Sequence, residues 1–98
     1  MSVYVDPLRA TIPSPKWPFS TGCHLFADRM AELQELAGRL GLAPVWLHPV
    51  RGFAHYDLTG GKRADAVRLG AVEVGREFVA GWRDANTKLK PKTVKGRK

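Results

Sequence analysis

His55-Tyr56-Asp57-Leu58-Thr59-Gly60-Gly61-Lys62-Arg63 brings together an imidazole, a carboxylate, two hydroxyls, two bare glycines and two cations, directly before an apolar-periodic run from Ala64 to Leu69. The order predicts a polar loop entering a helix that runs from about Gly60 to Leu69 and stops at Gly70. Thr59 is the predicted N-cap, its hydroxyl accepting from free amides of the first turn. Gly60 and Gly61 leave those amides uncovered, and a helix N-terminus carries partial positive charge, so the segment is a natural anion seat. Lys62 and Arg63 have the wrong sign for that end of the macrodipole, which an anion or a nearby aspartate offsets.

Outward from this stretch the chain reads as alternating strand and helix. Upstream, Val45-Trp46-Leu47-His48 is a predicted strand, and Pro49 to Leu58 is a loop. Before it, Met30, Leu33, Leu36, Ala37 and Leu40 recur at helical spacing, giving a helix from near Asp28 to Leu40 that ends at Gly41. Val3-Tyr4-Val5 reads as the first strand, ending at Asp6. From Pro7 to Gly22, Pro7, Pro13, Pro15 and Pro18 exclude helix and central strand. That loop is either functional or a lid in which Trp17 and Phe19 cover the core. Downstream, Ala71-Val72-Glu73-Val74 is a third strand, and Phe78, Val79 and Trp82 share a face of a helix over Arg76 to Asn86. The expected fold is a small α/β domain over residues 1–86, in two or three layers, with three helices and a short, mainly parallel three-stranded sheet.

The 98 residues suffice for one small domain. The net charge of +7 is unevenly placed. Lys88, Lys90, Lys92, Lys95, Arg97 and Lys98 fall in residues 87–98 without any acid, and the rest of the chain carries ten cations against nine acids. A flexible basic tail is therefore expected beyond residue 86. The single cysteine, Cys23, excludes an intrachain disulfide and suits a reducing compartment. No charged leader with an apolar segment and no run of membrane-spanning length is present, so a soluble, cytoplasmic protein with no membrane partner is expected.

In a parallel sheet, ligands bind beyond the carboxyl ends of the strands. Asp6, His48 and the His55–Thr59 segment are expected at that edge, with His24 and Asp28 entering it before the first helix. His24, His55 and Asp57 are the candidate catalytic groups. Asp6, Trp17, Asp28, Tyr56, Thr59, Gly60, Gly61, Lys62 and Arg63 are the candidate ligand contacts. Each has a structural alternative: Asp6 as a turn residue before Pro7, Asp28 as an N-cap, His24 and His55 as hydrogen-bonded core histidines, Lys62 and Arg63 as a solvated helix face. His48 has no special support, and Cys23 is read as structural. One cysteine and three scattered histidines make no closed zinc site, and no phosphate-binding P-loop, dinucleotide fingerprint or nucleophile elbow occurs.

Val3-Tyr4-Val5-Asp6, Cys23-His24-Leu25-Phe26-Ala27-Asp28, Glu32-Leu33, Leu40-Gly41, His55-Tyr56-Asp57-Leu58-Thr59 with Lys62-Arg63, and Leu69-Gly70-Ala71-Val72-Glu73-Val74 together resemble a family of short bacterial and phage proteins catalogued as a domain of unknown function. The resemblance covers most of residues 3–74. It implies a cytoplasmic protein of bacterial or phage kind and brings no known activity.

Three functions suit these residues. In the favoured one, the chain binds a small phosphorylated compound such as a nucleotide: Gly60, Gly61, Lys62 and Arg63 hold the phosphate, His24, His55 and Tyr56 supply hydrogen bonds, and Trp17 stacks on the base or sugar. No metal or cofactor is required. In the alternative, the chain is a metal-dependent phosphoester hydrolase, with Asp6 and Asp57 holding Mg²⁺ or Mn²⁺ and His24 or His55 acting as acid or base. In the third, residues 87–98 bind nucleic acid weakly and without sequence preference. A three-stranded sheet leaves two edges, which a homodimer would cover.

Overall fold

In the computed structural model, the backbone is described for residues 2–94 and the side chains for residues 2–86. The last helix continues to Val94, past the end expected at Asn86, so the segment expected to be a flexible basic tail from residue 87 begins as helical backbone, and residues 95–98 lie outside the described residues. Among the described residues there are six strands, β1 (Val3–Val5), β2 (Arg9–Ala10), β3 (Thr21–Ala27), β4 (His48–Val50), β5 (Phe53–Leu58) and β6 (Val72–Glu73), and three α-helices, α1 (Met30–Arg39) after β3, α2 (Gly60–Arg68) after β5 and α3 (Arg76–Val94) after β6.

The sheet is mixed, in the order β4-β5-β3-β1-β6, with β2 also pairing β3. Only β1 and β6 run parallel; the β1–β3, β2–β3, β3–β5 and β4–β5 pairs are antiparallel. The mainly parallel three-stranded sheet expected from the sequence is thereby corrected. Two strands account for the difference. Thr21–Ala27 precedes α1 as the central strand, and Phe53–Leu58 is a strand rather than a loop. Neither alternates cleanly between apolar and polar residues, because both of their faces are covered. Val45 and Trp46, expected in a strand, instead form a short 3-10 turn at Pro44–Trp46. Pro44 occupies its first position, where a missing N–H costs nothing.

The proline-rich stretch from Pro7 is an ordered arm, not a structureless loop. Arg9 and Ala10 pair with Gly22 and Thr21, the Thr11 amide donates to the Ser20 carbonyl at 2.9 Å, and Ser14 and Trp17 exchange backbone hydrogen bonds at its tip. Its prolines stand at positions that donate nothing to this ladder.

Register assigns each strand residue to a face. Val5, Leu25, Tyr56 and Leu58 lie on one face, against Leu33, Leu36 and Ala37 of α1 and Ala66 of α2, and form the main core. The other face carries Tyr4, Phe26 and Phe53, covered by Phe78 and Trp82 of α3. α1 and α2 therefore pack on one side of the sheet and α3 on the other, giving three layers.

Both core-side helices end as the glycines predict. Gly41 and Gly70 take φ of 80° and 110°. Leu42 N–H bonds Ala37 O and Gly41 N–H bonds Gly38 O, with the same pair of bonds at Ala71 and Gly70, which is the Schellman arrangement at each end. α2 starts at its predicted cap, the Thr59 hydroxyl accepting from the Lys62 amide at 3.2 Å.

Candidate functional site: a histidine–aspartate cluster

On the face of the sheet that carries Phe26 and Phe53, three adjacent strands present a polar cluster. His24 on β3 stands opposite Asp57 on β5, and His55 on β5 stands opposite His48 on β4. Strand periodicity puts His55 and Asp57 on the same face, so three register positions bring these four side chains together. Asp6, just past the end of β1, is buried beside His24.

The hydrogen bonds fix which ring nitrogens carry protons. Arg9 NH2 lies 2.9 Å from His24 Nε2. A guanidinium has only donors, so Nε2 accepts and the His24 proton sits on Nδ1. That N–H is donated to Asp6 Oδ2 at 2.6 Å, and the His24 amide donates to Asp6 Oδ1 at 2.6 Å. Burial alone pushes the Asp6 carboxyl up; the ring and amide hydrogen bonds from His24, with the charge of Arg9, outweigh it and hold Asp6 below the usual aspartate range.

His55 Nδ1 donates to the Phe53 carbonyl at 2.7 Å. Burial draws the His55 pKa down, with His24 and His48 adding to it against the Phe53 carbonyl and Asp57. The ring is therefore neutral, with its lone pair on Nε2. That lone pair faces Asp57 Oδ1 at 3.7 Å. Two acceptors facing one another are bridged by a donor or by a cation, and a metal ion is one such bridge. Asp57 Oδ2 meets His48 Nε2 at 3.0 Å, and the His48 ring stacks on His55 at 5.0 Å between centroids.

His24, His55 and Asp57 thus offer two imidazole nitrogens and a carboxylate oxygen within 4.8 Å of one another. Ligand atoms on one zinc ion, at about 2.0–2.2 Å each, stand roughly 3.3 Å apart in a tetrahedron, so an ion would draw this set inward by about an ångström. Asp57 is a third exposed and has room to follow. Both histidines already show the outer contacts of metal-bound imidazoles, the distal N–H held by a carboxylate in one and by a backbone carbonyl in the other.

Beside the cluster, Arg9, Thr11, Trp17, Gly22, Cys23 and Asp57 line a cavity of about 120 Å³. Drug-sized ligands occupy roughly 300–1,000 Å³, so this space suits a phosphate-sized group and not a whole nucleotide. Trp17 forms one wall, its Nε1 donating to the Thr21 carbonyl at 3.1 Å. A Cβ on Gly22 would come within 3.1 Å of that ring, which is why the strand carries glycine there.

The profile of a family described as a protein of unknown function, DUF4031, matches residues 3–85. The chain belongs to this family. No curated protein and no solved structure matched it.

Of the residues expected at the site, Asp6, His24, His55 and Asp57 come together, with Trp17 at the adjoining cavity. Tyr56 points into the main core on the opposite face. Asp28 lies at the far end of β3, accepting from the Tyr4 hydroxyl, the Ser2 amide and Trp82 Nε1. Lys62 Nζ donates to the Leu40 carbonyl at 2.6 Å, a cation capping the C-terminus of α1. Arg63 donates to the Asp6 carbonyl at 2.8 Å and to Glu73 at 3.1 Å, tying α2 to the ends of β1 and β6. Thr59, Gly60 and Gly61 form the start of α2, and a Cβ on Gly60 would touch Leu8. Sequence reasoning missed Arg9 and set His48 aside. The signal for His48 was Arg51-Gly52: Gly52 at φ 76° closes a tight turn that folds β4 onto β5 and pairs His48 with His55.

Proposed function

We propose that this protein is a metal-dependent hydrolase of phosphoester bonds, built on His24, His55 and Asp57. One observation carries the proposal: His24, His55 and Asp57 each bring a ligating atom within 4.8 Å of the others, with Nδ1 of both rings held from outside the cluster and His24 Nε2 engaged by the exposed Arg9. Two imidazoles favour Zn²⁺, Fe²⁺ or Mn²⁺ over Mg²⁺, which prefers an all-oxygen shell. Three protein ligands leave positions for water and substrate, and a bound ion of this class supplies a water acidic enough to act as nucleophile near neutral pH.

The protein's own residues supply the rest. Asp6 and the Phe53 carbonyl lock the two rings, and Arg63 holds the Asp6 backbone. His48, half exposed, donates from Nε2 to Asp57 Oδ2 and so fixes the carboxylate whose other oxygen faces His55. Arg9 supplies the permanent positive charge that favours a phosphoryl group over a neutral ester.

Phosphate capture without a metal at Gly60, Gly61, Lys62 and Arg63 has weaker support, because both cations are already spent on backbone carbonyls.

The test is metal content and turnover. Chelator-stripped protein should take up one Zn²⁺ or Mn²⁺ per chain, gain thermal stability, and hydrolyse p-nitrophenyl phosphate only when loaded. At a hundredfold excess over the dissociation constant, binding adds about 2.7 kcal/mol, roughly 10 °C or more in a domain of this size. Failure of the wild type to bind either ion, or unchanged binding in both His55→Gln and Asp57→Asn, would overturn the proposal.

A further inference from the structure

We infer that Arg9 holds the metal's place in the ion-free protein and becomes the clamp for a tetrahedral oxyanion once the ion binds, so that metal and phosphoryl ligand bind cooperatively. The inference rests on the metal-site proposal and goes further, naming the recognition group and the order of events.

His24 Nε2 is the atom a metal would take, and Arg9 NH2 is donated to it at 2.9 Å. One lone pair cannot serve both, so an incoming ion must break this hydrogen bond. Arg9 is free to leave. It is exposed, on the two-residue strand β2, and its long side chain reaches His24 across the edge of the sheet. Once displaced, the guanidinium would turn toward the cavity it already lines with Thr11, Trp17 and Asp57. There its donors, no longer spent on His24, would face a ligand entering the cavity.

The group that suits a place between a divalent ion and a planar cation is a dianionic tetrahedral one, the terminal phosphoryl group of a phosphate monoester. The cavity volume allows the phosphoryl group and places the remainder of the substrate outside, against the Trp17–Phe19 arm. Without metal the same arginine is engaged with His24, and phosphate affinity is low. Before substrate arrives, an ion has to compete with Arg9 for His24.

The opposite directions of two effects test the idea. Calorimetry on the full chain would follow Co²⁺ binding, read in parallel from its visible absorption, and methylphosphonate binding with and without Co²⁺. In the wild type, methylphosphonate should bind only to the Co²⁺ form. In Arg9→Gln, Co²⁺ should bind tighter by roughly tenfold or more, since a competing charge-assisted hydrogen bond is gone, while methylphosphonate affinity falls by at least about tenfold. Arg9→Lys should keep anion binding in part. Unchanged or weaker Co²⁺ binding in Arg9→Gln overturns the place-holding role while leaving the metal site standing. Methylphosphonate binding that is independent of Co²⁺, or of Arg9, overturns the clamp. Absence of Co²⁺ binding in both the wild type and Arg9→Gln instead removes the metal site itself.

Discussion

Asp6 accepts twice from His24, from the ring Nδ1–H and from the backbone amide, each at 2.6 Å. One carboxylate therefore sets the ring's tautomer and the position of its strand. Asp6→Asn keeps the shape but weakens the acceptor for the ring N–H. Metal affinity should fall about 10–100-fold, the usual cost of losing such an outer partner, and the loss should appear in a Co²⁺ titration at a temperature where the variant is fully folded.

Lys62 separates the two placements of the phosphate. Its ammonium caps α1 through the Leu40 carbonyl, so Lys62→Ala should lower stability by about 1 kcal/mol or more. Phosphonate affinity of the metal-loaded protein should be unchanged. A large loss of anion binding with unaltered denaturant midpoint would return the phosphate to the start of α2.

Thr59 carries the start of that helix by accepting from the Lys62 amide. Thr59→Ala should cost about 1 kcal/mol in urea unfolding, and Thr59→Ser should recover most of it.

Cys23 is buried on the core side of β3, and burial, with Asp6 nearby, pushes its thiol up to about 12. The thiolate is the reactive form, so native protein at pH 8 should resist a disulfide reagent that reacts within minutes with protein unfolded in urea.

Tyr4 offers a pH test remote from the histidines. Burial, followed by the hydrogen bond to Asp28 and its negative charge, raises the phenol above its ordinary value of 10.0. A raised folded-state pKa means stability that is complete below pH 10.0 and lost as pH rises through the folded value. Tyr56→Phe leaves Tyr4 as the sole tyrosine; its absorbance titration should be displaced upward in the folded state and return to about 10 in urea. Tyr4→Phe should flatten the alkaline loss of stability relative to the wild type.

What the sequence determined by itself was local. Thr59 before two glycines, Gly41 and Gly70 after apolar-periodic runs, and the spacing of Leu33, Leu36 and Ala37 specify α1 and α2 with their ends, because caps and amphipathic faces depend on neighbours a few residues away. The β-branched residues of β1 were equally legible, and the choice of Asp6, His24, His55 and Asp57 as site residues rested on their chemistry and on the carboxyl edge of a parallel sheet that the mixed sheet replaces. Only the tertiary structure decided the sheet. β3 and β5 are covered on both faces, so Cys23–Ala27 and Phe53–Leu58 lack the alternation that marks a half-exposed strand, and their antiparallel pairing was invisible. That same pairing seats His24 opposite Asp57, brings His48 onto His55 and carries Arg9 to His24. It also turns Tyr56 into the core, sends Asp28 to the far end of β3 and commits Lys62 to the end of α1. These are consequences of register between strands distant in sequence, and register is set by how the two buried faces pack, which no local pattern records.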